Sequence, residues 1–218
     1  MHVFDIIGPI MVGPSSSHTA GAARIGRVAR RLLNEDVVSA RIGLYGSFAA
    51  TAVGHGTDRA LIAGLLDMDV SDLRLRDSFE IAKAQGLEYA FYPIELRDAH
   101  PNTVQLDVSG STRTLSLRAA SIGGGSIRVD ELNSMPVNFS GNEHTLVIPH
   151  RDQPGVIAQV SGVLAYQAVN IATMQVSRER AGGEAVMVLE VDAIPTDRVI
   201  NALSALPGIE RVSLLKKL

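Results

Sequence analysis

Cysteine is absent from all 218 residues. That excludes disulfides, a thiolate nucleophile, cysteine-type zinc sites and any iron–sulfur cluster ligated by the chain's own side chains. Tryptophan is absent as well, and aromatic residues are only 4% of the chain, so aliphatic side chains and alanine must fill the core. Lysine is scarce: Lys83, Lys216 and Lys217 are the only three. The arginines are dispersed and the net charge is −3, so the positive footprint that nucleic-acid binding requires is missing. No apolar run approaches the roughly 20 residues of a bilayer span. The opening MHVFDIIGPIMVG has neither the basic start nor the small-residue cleavage site of a secretory signal, so a soluble, cytoplasmic protein is expected.

Hydrophobic residues make up 46% and charged residues 20%, an ordinary globular balance. At about 150 residues per domain the length suits one or two domains. The second half has the clearer pattern. TLVIPH (145–150) is a short apolar run followed by the turn chemistry of RDQPG. Ile157, Val160, Val163 and Leu164 then recur at helical spacing, predicting a helix over 155–168. NIATMQVS (170–177) alternates as a half-buried strand does, Gly182-Gly183 marks a hairpin, and AVMVLEV (185–191) follows. A second helix opens at Pro195 and ends at Pro207-Gly208, and IERVSLL (209–215) returns as a strand. The order is β-α-β-β-α-β, a ferredoxin-like unit.

In the first half, HTAGAARIGRVARRLL carries one apolar stripe and predicts a helix of about 16 residues. Residues 37–46 read as a strand, 58–67 and 78–85 as helices, and strand patterns dominate from Tyr92 to Leu132. The fold class is therefore α+β, with a mixed α/β domain over 1–140 and the ferredoxin-like unit over 143–218. The junction is expected in NFSGN (138–142), which is polar and turn-rich.

GPSSSHTAG (13–21) is the most informative stretch. Three serines, His18 and Thr19 open a long helix whose first turn has no Asp or Glu. Unpaired N–H groups and a partial positive charge make such a terminus a seat for an outside anion, although one serine would serve as an ordinary cap. GHGTD (54–58) places His55 between two glycines in a loop, with Thr57 or Asp58 as a cap for the next helix. Such a histidine suits proton transfer or a hydrogen-bonded surface role. HPN (100–102) is a polar turn offering Asn102, and GGG (123–125) offers N–H groups or a plain hairpin. In DQPG, Gly155 lies at a helix N-terminus, and Asn170 is expected nearby, so the two together would hold an amino acid's charged groups. The alternative is that this unit only packs against a twin through its sheet.

Several chemistries are disfavoured. Gly8 and Gly13 have P-loop spacing, but Pro14 stands where the lysine belongs, and no G-x-G-x-x-G occurs. Of the six histidines, His144 and His150 are the nearest pair with strand spacing, about 20 Å apart at ~3.3 Å per residue, too far to share an ion. No metal site is expected.

GPSSSHTAG, GHGTD, HPN and SIGGG, in this order and followed by a DQPG unit, resemble the beta chain of iron–sulfur-dependent L-serine dehydratase (L-serine ammonia-lyase) over essentially the whole chain. The C-terminal half resembles an ACT domain. The N-terminal half is also similar to a substrate-binding-type domain of some phosphoglycerate dehydrogenases, where it is regulatory. Ala22 stands after Gly21 where the family often has proline, a change that removes no polar group.

The resemblance implies conversion of L-serine to pyruvate and ammonia, in serine catabolism and gluconeogenesis. It implies a 4Fe–4S cluster carried by a partner alpha chain, because this chain has no thiolates, and self-association through the ACT domain. It implies His55 and His18 as catalytic residues and Ser15, Ser16, Ser17, Thr19, Thr57 and Asn102 as substrate-binding residues. Pyridoxal phosphate is a poor fit, since Lys83 lies in an amphipathic helix and Lys216 and Lys217 in the tail. The alternative reading is a non-catalytic module that senses an amino acid for a separate enzyme, with Gly155 and Asn170 as effector contacts.

Overall fold

The computed structural model describes residues 10–218. His2, Gly8 and most of the opening segment lie outside the described residues. The chain divides after Ser134 into two compact units, a few residues ahead of the expected 138–142 junction.

The first unit begins with a π-helical turn, Ser16–Ala20, that runs directly into α1 (Gly21–Leu33). The single helix expected from His18 onward is thus two kinds of helix. The Ala20 and Gly21 amides reach back five residues, to the carbonyls of Ser15 and Ser16. Helix α1 buries Ile25, Val28, Ala29, Leu32 and Leu33, the stripe its spacing predicts, and ends at Asn34 in the left-handed region (φ 59°). Then come β1 (Ser39–Leu44), α2 (Gly46–Thr51), α3 (Thr57–Leu65) and α4 (Ser78–Ala84). Strands β2 (Glu88–Pro93), β3 (Thr103–Ser109), β4 (Thr114–Gly123) and β5 (Ser126–Leu132) complete the unit. Their order is β2-β1-β3-β4-β5, with β1 and β2 parallel and the other pairs antiparallel.

Helix α1 packs on α3 and on β4. Two glycines permit the helix contact. A Cβ on Gly26 would lie 2.4 Å from the Leu61 carbonyl oxygen, and one on Gly64 would lie 2.1 Å from that of Ala23. Strand β2 starts four residues before the expected YPIEL, because pairing with β1 begins at Ser39 opposite Glu88. The GGG segment is a tight hairpin, with Gly124 and Gly125 at φ 60° and 79° and Gly123 paired to Ser126. Its Gly125 carbonyl accepts Arg24 Nη1 at 2.8 Å.

At the other end of the sheet, Glu35 clamps the β3–β4 turn. Its carboxylate accepts the Ser111 hydroxyl (2.7 Å), the Thr112 amide (2.9 Å) and the Thr112 hydroxyl (2.9 Å). The Ser111 hydrogen bond and then the Thr112 amide hold its pKa down at about 2. A depressed carboxylate stabilises the fold above its ordinary pKa of 4.5, and that contribution is lost as pH falls toward 2. Acid unfolding followed by circular dichroism should therefore show a weaker pH dependence in this window for Glu35→Gln. An unchanged profile would deny the clamp.

The second unit comprises β6 (Met135–Phe139), β7 (His144–Arg151), α5 (Val156–Tyr166), β8 (Ile171–Arg178), β9 (Glu184–Val191), α6 (Asp197–Ser204) and β10 (Ser213–Leu215). Strand order β10-β7-β9-β8, antiparallel throughout, is that of the βαββαβ unit read from the periodicities. Leu146, Ile148, Val160, Leu164, Met187 and Leu189 lie at its core. Strand β6 was not foreseen: Met135, Val137 and Phe139 are buried and alternate with exposed Pro136 and Asn138. Strand β10 is shorter than 209–215, since Ile209 forms only an isolated bridge with His150. Among the described residues no helix is long and apolar enough to cross a membrane, and no group of three or more His, Asp or Glu is placed to hold a metal ion.

Candidate functional site

Ser15, extended at φ −136°, caps the π turn, and its Oγ accepts the His18 amide at 3.1 Å. No acidic residue lies in the first turn here or in α1. The His18 ring is held at both nitrogens. Nδ1 is 3.0 Å from Ser17 Oγ and 3.4 Å from Ser15 Oγ, and Nε2 is 2.9 Å from Ser47 Oγ. Phe48, fully buried, meets the imidazole edge-on with centroids 5.4 Å apart.

His55 comes from the loop between α2 and α3. Its ring meets that of His18 at 4.8 Å and 76°. The His55 ring is exposed and makes no hydrogen bond among the described residues. Its backbone is fixed instead: the amide donates to Thr51 O at 3.0 Å, and the carbonyl accepts Thr19 Oγ1 at 3.0 Å. The two histidine segments therefore brace each other, Ser47 holding the His18 ring and Thr19 the His55 carbonyl.

Burial comes first and the neighbouring His55 second in lowering the His18 pKa below its ordinary 6.5. A base with a depressed pKa stays neutral to lower pH. NMR titration should place the His18 midpoint below 6.5 in the full chain, and His55→Ala should move it upward by removing the repulsion. A downward shift in that variant would contradict the pairing.

Ser15, Ser16 and Ser17 are half-buried at this cluster, whereas Thr19 and Thr57 are buried. Ser16 accepts the Gly21 amide through its carbonyl. Thr19 is 2% exposed and Thr57 is fully buried, so neither hydroxyl is presented to a substrate in this chain. Thr57 Oγ1 has no hydrogen-bond partner among the described residues. Nor does Thr57 or Asp58 cap α3. Gly56, at φ 67°, takes that place without a side-chain bond, and Asp58 Oδ1 accepts the Arg59 amide at 2.8 Å.

The HPN turn abuts α2. Gly46 at φ 56° lets the chain approach so closely that a Cβ there would lie 2.7 Å from Pro101 O. Phe48 N also donates to Pro101 O at 3.4 Å. The Asn102 amide donates to His100 Nδ1 at 3.1 Å, while its carboxamide has no hydrogen bond among the described residues. Ser47 and Phe48 were missed by the sequence reading; the signal was a serine just after a glycine at a strand's end.

The second unit does not join its two expected contacts. Gly155 (φ 92°) precedes α5 and Asn170 follows it, so 11 residues of helix separate them by about 16 Å at 1.5 Å per residue. Strand order alone had suggested proximity. Asn170 Nδ2 is in any case bonded to Asp192 Oδ2 at 2.7 Å. His150 is buried with Nδ1 bonded to Ile148 O at 3.0 Å, and His144 Nδ1 accepts the Lys217 amide at 3.1 Å.

A mixed α/β unit presenting paired imidazoles and serine hydroxyls, followed by a βαββαβ unit, defines a two-domain α+β protein with a polar side-chain cluster in its first unit. The family model of the serine dehydratase beta chain matches residues 2–132, and that of the ACT domain matches 144–208. A probable L-serine dehydratase beta chain of Bacillus subtilis is 46% identical over 97% of this chain and 96% of its own length. The L-serine dehydratase beta chain of Peptoniphilus asaccharolyticus is 37% identical over 98% and 96%. A D-3-phosphoglycerate dehydrogenase of Bacillus subtilis is 30% identical over 89% of this chain but only 37% of its own. The chain belongs to the serine dehydratase beta chain family and carries a C-terminal ACT domain.

Proposed function

We propose that this chain is the beta subunit of an iron–sulfur L-serine dehydratase and works with a cysteine-bearing alpha chain to turn L-serine into pyruvate and ammonia. One observation carries the reading: the exposed, unbonded His55 ring stands 4.8 Å from a His18 ring braced by Ser17 and Ser47. Serine dehydration removes a proton from Cα and hydroxide from Cβ, and the aminoacrylate formed hydrolyses through its imine to pyruvate and ammonia. The difficulty is a weakly acidic Cα–H and a poor leaving group.

The donor set of this chain does not fit a cluster, because it has no thiolate and both His18 nitrogens already face hydroxyls. The 4Fe–4S group is accordingly assigned to the partner, where it would supply the Lewis acidity that the leaving hydroxyl needs. The present chain's residues do the rest. The helix start without acidic side chains, with the Ser16 hydroxyl, seats the substrate carboxylate, Ser15 and Ser17 hold the His18 ring beside it, and Asn102 supplies a free carboxamide beside α2. His55 takes the Cα proton, and His18, neutral and braced, keeps a second positive charge away from it. Thr19 acts from beneath, bracing the His55 carbonyl. The setting is cytoplasmic serine catabolism feeding gluconeogenesis, with self-association through the ACT unit.

Co-expression with the cysteine-bearing partner under anaerobic conditions is the test. Pyruvate should form from L-serine in the pair and not with this chain alone; turnover by the isolated chain would overturn the assignment. The alternative is an amino-acid-sensing module with Gly155 and Asn170 as effector contacts, two residues that lie at opposite ends of α5 within one chain.

A further inference from the structure

We propose that Ser47 is a positioning residue, accepting a hydrogen bond from His18 Nε2 and so holding the imidazole in the Nε2–H tautomer with Nδ1 as acceptor. The inference rests on His18 belonging to the active site described above, and it adds the device that fixes that ring. Ser47 comes from α2, 29 residues away in sequence, and its Oγ lies 2.9 Å from Nε2. On the opposite edge of the ring, Nδ1 faces two hydroxyls, Ser17 Oγ at 3.0 Å and Ser15 Oγ at 3.4 Å. Ser15 Oγ accepts the His18 amide, so its own hydrogen is left to donate, to Ser17 Oγ at 3.3 Å or to Nδ1. With two hydroxyl hydrogens on this edge of the ring and one on the other, Nδ1 is assigned as the acceptor. A neutral imidazole has one N–H and one lone pair, so an acceptor Nδ1 leaves the proton on Nε2, facing Ser47.

The backbone supports this placement. Gly46 adopts φ 56° with its Cα face against Pro101, setting the start of α2 and the direction of the next side chain. Thr51 Oγ1 donates to Ser47 O at 2.8 Å, tying the far end of the helix to Ser47. Phe48, adjacent in sequence, contacts the same imidazole ring. The titratable group facing His18 from another segment is His55, and the π turn itself contributes only hydroxyls and backbone.

The experiment is 15N NMR of the histidine rings in the full chain, for the natural sequence, Ser47→Ala and Ser47→Thr. The natural chain should show a protonated Nε2 and an unprotonated Nδ1 at His18. In Ser47→Ala the Nε2–H signal should lose the shift of a hydrogen-bonded proton and the titration midpoint should fall further, because the hydroxyl that accepts from the ring is gone. Ser47→Thr should restore both. A protonated Nδ1 in the natural chain, or a His18 signal indifferent to Ser47→Ala, would overturn the proposal. Paired with the alpha chain, Ser47→Ala should lower kcat about tenfold, the scale of one hydrogen bond, with KM little changed. If the NMR signature holds but the natural pair does not deaminate serine, the functional reading fails and the positioning role stands.

Discussion

Replacing His55 with alanine is expected to lower kcat for L-serine by about 10²–10⁴-fold in the complex with the alpha chain, the range commanded by a positioned proton-transfer group. KM should change little, because the helix start and the Ser16 hydroxyl, not His55, hold the carboxylate. Stability should also hold. The ring is exposed and makes no hydrogen bond among the described residues, so its removal leaves no buried group unpaired. His55→Gln should not rescue, since a carboxamide does not accept a proton near neutral pH. A loss confined to KM would make His55 a binding residue, and full activity would remove it from the site.

The second large effect is structural. Gly64→Val should destabilise the first unit by about 3 kcal/mol, the upper end of what overpacking costs. A Cβ at position 64 would meet backbone, with Ala23 O at 2.1 Å, Arg27 N at 2.7 Å and Gly26 Cα at 2.9 Å. No side chain can rotate aside to relieve this, so α1 and α3 must separate. Those helices follow the two histidine segments directly, and the variant should therefore lose activity as well as its urea midpoint. Gly162→Ala is the control. Gly162 is exposed in α5 with nothing within 4 Å of a new Cβ, and the substitution should be neutral or stabilising by up to about 1 kcal/mol. A Gly64→Val chain that unfolds at the natural midpoint would show that the close crossing is not required.

Much of the second unit was legible because its elements are short and locally periodic. The helical recurrence of Val160 and Leu164 required no distant information, and the alternation through Ala172, Met174 and Val176 marked a strand, although those three side chains are exposed rather than the buried face of it. The histidine site was legible as motifs but not as geometry. Nothing in SSSHT distinguishes a π turn from an α-helix, because i→i+5 and i→i+4 bonding leave the same polar–apolar pattern. Helix α2 is only six residues long; it is held by Gly46 against Pro101 rather than by an apolar period, so Ser47 stayed hidden. Thr19 and Thr57 looked like substrate contacts by residue type, and only burial reveals that one braces His55 and the other faces inward. Gly155 and Asn170 were joined by topology alone, which ignores the length of the helix between them.

Reconstitution with a separately purified, cluster-bearing alpha chain tests the division of labour most directly. Titrating that partner with the natural chain should raise serine deamination to a saturating maximum, whereas a His18→Ala/His55→Ala chain should bind the partner equally well and restore almost nothing. A partner that deaminates serine at full rate alone, or a double variant that restores it fully, would contradict the claim that this cysteine-free chain supplies the proton-handling half of the site.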